Sequence, residues 1–164
     1  MQLQTMDIIA FRPRNWFGRM IAWLTNSKYS HVALVYDGST RMIIEATYIV
    51  KTTDLAEEHR KYDVFRIKTD LSIAQVTIGK RYLTGMLDKG YDIANLVDWF
   101  INVFRRALNR PYRPYWQKDD RPICSELVAN TYAEMRLFPV PGIPNWAVSP
   151  QDLVSSPLFE EVIS

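Results

Sequence analysis

The runs with β character crowd into the first 68 positions of this 164-residue chain, and helical spacing takes over after them. That order marks an α+β domain, a small antiparallel sheet with helices around and after it that pack on it. The apolar run 7–11 stops at Arg12-Pro13 and reads as a buried strand, because proline cannot continue a ladder. Residues 14–25 carry apolar side chains at 16, 17, 20, 21 and 24, one helical face, closed by Asn26-Ser27. Runs 30–36 and 42–50 flank Asp37-Gly38-Ser39-Thr40 as a hairpin, and 62–68 alternates as a third strand of that sheet. The charged stretch 52–61 reads as loop or a short helical turn. Helices are expected over 71–87, with an N-cap at Thr69-Asp70 and a C′ glycine at Gly90, then over 93–108 and 123–137. Residues 109–122 form an irregular connection with three prolines, 139–150 a loop, 151–155 a helical turn and 158–163 a strand-like end. No internal repeat, low-complexity tract or interior linker interrupts 1–164, so one domain is expected.

Composition narrows the chemistry. Apolar residues at 48% and aromatics at 13% provide enough burial for a packed core, which excludes disorder as the main state. A net charge of +2 is too small to point to nucleic acid. One cysteine, Cys124, excludes an internal disulfide and Cys-rich zinc sites, and two histidines leave little for a His-rich one, so no metal and no cofactor is expected. No signal-peptide pattern and no run of about 20 apolar residues is present, and a free thiol suits a reducing compartment. The expectation is a cytoplasmic protein.

Cys124 follows Pro122 where helical spacing begins, which places it at a helix N-terminus. There the macrodipole and free N–H groups favour thiolate, and the same N–H groups can hold an oxyanion. A free cysteine is also an ordinary small buried hydrophobe, so its partners decide. His31 lies in a strand, opposite in facing to Val32 and Leu34, and pairs with Cys124 only if the fold brings it to the cysteine helix. Glu45, flanked by Ile44 and Ala46 on the next strand, is a cross-strand candidate to orient His31; an exposed glutamate is the alternative. His59, within Glu57-Glu58-His59-Arg60-Lys61, reads as part of a solvated cluster.

These pieces together resemble the circularly permuted papain-like branch of the NlpC/P60 superfamily, with its YiiX-type hydrolases and, more distantly, the lecithin retinol acyltransferase group. The resemblance rests on Asp7-Ile8-Ile9, Ser30-His31-Val32, Ile44-Glu45-Ala46, Gly90-Tyr91-Asp92, Cys124-Ser125-Glu126-Leu127-Val128 and Ser149-Pro150-Gln151-Asp152-Leu153, in that order. It implies a permuted papain-like fold with the nucleophile at a helix N-terminus. It further implies Cys124 as nucleophile, His31 as general base and Glu45 as the orienting third residue, with Tyr91, Asp92 and Ser125 in the substrate-binding wall. The implied function is a cysteine hydrolase cleaving an amide (peptide) or ester bond through an acyl-enzyme. The alternatives are an acyltransferase on a lipid or amine using the same site, and an inactive papain-like binding module. The implied substrates are a peptide, an amide or an acyl lipid.

One departure from the family pattern is the long interval between Asp92 and Cys124, read as a helical insertion at about 93–120. Its helix, 93–108, is apolar nearly all round. Such a helix packs across the second face of the sheet, or else serves as a lid, a homo-oligomer interface or a membrane-surface contact. Six basic and three aromatic residues lie between Arg105 and Arg121, from the end of that helix onward, as in a segment that touches an anionic lipid or an acidic polymer, or as in a solvated loop. Arg12, Arg14, Arg19 and Lys28 read as the solvent face around the first helix.

Overall fold

The strands β1 (Ile8–Phe11), β2 (His31–Asp37), β3 (Met42–Ala46), β4 (Val50–Asp54), β5 (Tyr62–Ile67) and β6 (Phe159–Glu161) form one antiparallel sheet in the order β4-β3-β2-β1-β5-β6. The structure, a computed structural model, describes residues 2–90, 93–108, 110–113 and 122–162; the side chains at 17, 24, 93–96 and 107 lie outside that description. β1 is central and buried along its whole length, which explains an apolar run with no alternation: both faces of the sheet are covered.

On one face, Ile8, Ala10, Val32, Leu34 and Ile44 pack against Leu127 and Val128 of helix α4 (Cys124–Glu134), with α2 (Ile73–Met86) alongside. A Cβ at Gly79 of α2 would stand 2.8 Å from the sulfur of Met135, so glycine sets how closely these helices approach. Buried Tyr132 of α4 donates its hydroxyl to the Met6 carbonyl at 2.6 Å, which pins α4 to the start of β1. On the other face, Ile9, Phe11, Ala33, Val35, Ile43 and Val64 pack with Leu3 and Leu55. The Arg60 guanidinium stacks 3.9 Å from the Phe11 ring centroid there.

The structure agrees with the α+β reading but corrects several local expectations. The expected strand 42–50 is two strands, since β3 ends at Ala46 and Val50 starts the edge strand β4, which takes in residues 52–54 read as loop and sets Lys51 opposite Glu45. β5 is not the next strand of a hairpin; it crosses to the far side of β1. α2 is capped by Ser72, not by Thr69-Asp70, with Gln75 returning a hydrogen bond to the Ser72 N–H. It ends with Asp88 in the left-handed region (φ 62°), so Gly90 is not the stop.

Helix α1 (Trp16–Leu24) is capped by Asn15, whose side chain accepts from Gly18 N–H at 2.8 Å. Among the described residues, α3 (Ile93–Ala107) has none in the cluster on the second face of the sheet. It lies against the 3₁₀ turn Asn145–Ala147, just before α5 (Pro150–Val154). It also has a polar inner side: buried Asn102 donates to Asp98 and to the Arg113 carbonyl, and accepts from the Arg113 N–H. Arg106 of α3 joins Asp152 of α5 at 2.7 Å.

Candidate active site

Cys124 is the first residue of α4. Ile123 is its N-cap in extended backbone (φ −75°, ψ 167°), and Pro122 stands outside the helix rather than in its first turn. Glu126, three residues beyond the cap, accepts from the Ile123 N–H at 3.3 Å, a carboxylate at the positive helix end. The thiol is partly exposed and opens onto a cleft of about 640 Å³. One wall of the cleft is α1, through Gly18 and Ile21. Thr47 and Tyr48 of the β3–β4 turn, Trp99 of α3, His31, and the cationic Arg12, Arg14 and Arg60 are also part of its lining.

His31 begins β2. It stands on the Phe11 side of the sheet, with ring centroids 5.6 Å apart, yet its place at the strand end lets it reach the N-terminus of α4, which packs on the other side. Facing away from Val32 and Leu34 therefore does not prevent the pairing. His31 is flanked by Cys124, each of the two shifting the other's pKa, and by Glu45, to which it is hydrogen-bonded. Nε2 is the nitrogen at Glu45, 2.8 Å from Oε2, which leaves Nδ1 for the thiol. Extending the β2–β3 register of Leu34 opposite Ile44 sets Glu45 opposite Ala33, so His31 and Glu45 are diagonal neighbours on one face rather than a direct cross-strand pair.

Glu45 is buried, and both of its oxygens are occupied. Oε2 also accepts from Arg60 at 2.9 Å; Oε1 accepts from Thr53 at 2.8 Å and lies 3.8 Å from Lys51 Nζ. This is the environment a buried carboxylate needs to stay ionised. Burial raises its pKa, but His31 and then Arg60 outweigh that and hold it well below the usual carboxylate range. Burial likewise opposes the imidazolium, but the neighbouring thiolate and Glu45 raise His31 to about 9. Burial pushes the Cys124 thiol up; the His31 charge, the hydrogen bond to it and the N–H groups of Val32 and Ser125 bring it below its ordinary value. Both shifts run in the direction of a thiolate–imidazolium pair.

The structure brings Cys124, His31 and Glu45 into one relay. It separates the side chain of Ser125 from the cleft: that hydroxyl is fully buried and donates to the Val148 carbonyl at 2.6 Å. Ser125 is among the residues lining the cleft, but its hydroxyl is turned to Val148. Val148 O also accepts from Trp99 Nε1 at 3.0 Å, so a single carbonyl ties α3 and the start of α4 to the same loop. Tyr91 and Asp92 lie outside the described residues, as does the segment 114–121. His59 is exposed.

Arg60, Thr53 and Trp99 were not found from the sequence. Arg60 sits in the charged cluster read as solvated, yet it is half-buried between Phe11 and Glu45. A buried glutamate's need for more than one partner was the signal that pointed beyond His31.

No protein-family model and no curated protein matches the chain. Its fold is similar to that of a solved structure, the metalloprotein YiiX (DUF1105) of Escherichia coli O157:H7. The TM-score is 0.76 over 99% of this chain and 98% of that one, at 24% sequence identity. Among the described residues, no helix is long and apolar enough to cross a membrane.

Proposed function

We propose that this protein is a cysteine hydrolase of the circularly permuted papain-like NlpC/P60 type, acting on an amide or ester carbonyl. The observation that carries the reading is the relay Cys124–His31–Glu45, with its sulfur at a helix N-terminus and open to a cleft. His31 precedes Cys124 in the chain, which fits the permuted order.

In the first step the Cys124 thiolate adds to the carbonyl carbon, and the carbonyl electron pair moves onto oxygen. The first-turn N–H groups of α4, which have no partner within the helix, are the donors available to that oxyanion. The tetrahedral intermediate collapses, the C–N or C–O bond breaks, and imidazolium His31 gives its proton to the leaving nitrogen or oxygen. Water then attacks the thioester while neutral His31 takes its proton. Collapse of the second intermediate releases the acid and restores the thiolate and the protonated His31. Glu45 keeps Nδ1 aimed at the sulfur and stabilises the imidazolium.

YiiX is described as a metalloprotein. In this chain no three His, Cys, Asp or Glu side chains among the described residues form a group able to hold a metal ion, and the Glu45 oxygens are taken by His31, Arg60 and Thr53. The described residues do not fit a protein-held metal.

The test is mass spectrometry after mixing the protein with activated p-nitrophenyl esters of short and long acyl chains. An acyl adduct on Cys124 that forms and then decays supports the reading. No adduct, or the same adduct in Cys124→Ala, refutes it.

A further inference from the structure

Helix α1 walls the cleft with Gly18 and Ile21, but its opposite side is also apolar. Trp16, Met20 and Trp23 follow the i, i+4, i+7 spacing of one face, and the two indoles are 76% and 79% exposed. Among the described residues, the large hydrophobic side chains that are exposed stand on or directly beside the three cleft-lining elements α1, the β3–β4 turn and α3, except Ile73 and Phe138. α3 repeats the arrangement: Trp99 faces the cleft while Val97, Phe104 and Leu108 form an exposed stripe on the other side.

The charge around α1 says what fits this face. Between Asp7 and Asp37 there is no acidic residue. Arg19 is exposed beside the indoles and is in no ion pair among the described residues; Arg14, also exposed and in no such pair, lines the cleft just before the helix. Indoles beside an arginine on a short helix match a membrane–water interface, where the ring sits at headgroup depth and guanidinium meets lipid phosphate. A second copy of the chain on this face would set two copies of this arginine against each other.

We propose that the outer face of α1, through Trp16 and Trp23 with Arg19, docks the protein on an anionic lipid bilayer, with α1 standing between the bilayer and the cleft. This docking stands independently of the hydrolase reading.

The test is co-sedimentation with phosphatidylcholine vesicles, with and without about one-third phosphatidylglycerol. The wild type is expected to bind the anionic vesicles, and added salt to weaken that binding. Trp16→Ser with Trp23→Ser, and separately Arg19→Glu, should each weaken it by about tenfold or more. Ile73→Ser with Phe138→Ser, which removes exposed apolar groups elsewhere, should bind as wild type. Cys124→Ala should also bind as wild type, so a failed hydrolase reading leaves this result intact. Absence of binding to anionic vesicles overturns the proposal, as does equal binding by the α1 variants or equal loss in the Ile73/Phe138 control. A dimer in sedimentation that the double tryptophan variant dissolves, without vesicle binding, assigns the face to self-association and also overturns it.

Discussion

The His31 ring lies between Glu45, whose carboxylate is 2.8 Å from Nε2, and Cys124, and each of the two raises its pKa. Each neighbour stabilises the imidazolium, and the imidazolium in turn stabilises both anions. The chemistry expected of the site follows from that mutual dependence.

Alkylation of Cys124 by iodoacetamide should already be fast below neutral pH, because the thiolate is the reactive form and its pKa is depressed. In His31→Ala the onset should move toward an ordinary thiol, with the rate at pH 6 down by about tenfold or more. Rate against pH, measured on both proteins, checks this; superimposed profiles would remove His31 from the thiol's environment.

Turnover should be bell-shaped in pH. The rising limb belongs to formation of the thiolate, and the falling limb to loss of the imidazolium as pH passes about 9. Both limbs report the coupled pair rather than either residue alone.

Glu45→Gln keeps the shape but removes the charge. Turnover should fall on the order of 100-fold, and the falling limb should move to lower pH because the imidazolium loses its carboxylate. A lower rate with an unmoved limb would assign Glu45 a purely structural part.

Arg60→Met strips one donor from a buried carboxylate that keeps His31 and Thr53. Unfolding in urea should show a loss at or below about 3 kcal/mol, since the His31 bond remains. Glu45 should then titrate closer to the usual carboxylate range.

Acid stability follows from the same carboxylate. The folded pKa of Glu45 lies below its unfolded value, so its contribution is complete above the ordinary carboxylate pKa of about 4.3 and declines as pH falls from there toward the depressed folded value. His31 has the opposite sign: its folded pKa is raised, so its contribution is complete below about 6.5 and disappears as pH rises through about 9. Urea midpoints across pH should be highest between these two declines for the wild type, and Glu45→Gln should flatten the acid side.

Local chemistry along the chain was enough to place Cys124 at a helix start, because helical spacing begins there directly after a proline, a short-range signal even though that proline stands outside the helix. It was also enough to leave His31 as the partner, since only two histidines exist and His59 lies among charged residues on the surface. The apolar run of β1 showed that both sides of a strand are covered, without showing by what.

Tertiary structure decided what no spacing contains. That β5 joins β1 instead of continuing the hairpin depends on long-range backbone hydrogen bonding. That Arg60 leaves its charged cluster to stack on Phe11 and hold Glu45 depends on a buried carboxylate needing more than one donor. That Ser125 turns to Val148 rather than the cleft depends on a carbonyl from the loop before α5. The sequence by itself determined which atoms are able to react. Only the fold determined which of them meet, because a thiol and an imidazole so far apart in the chain become partners through the end of a sheet and the start of a helix packed on it.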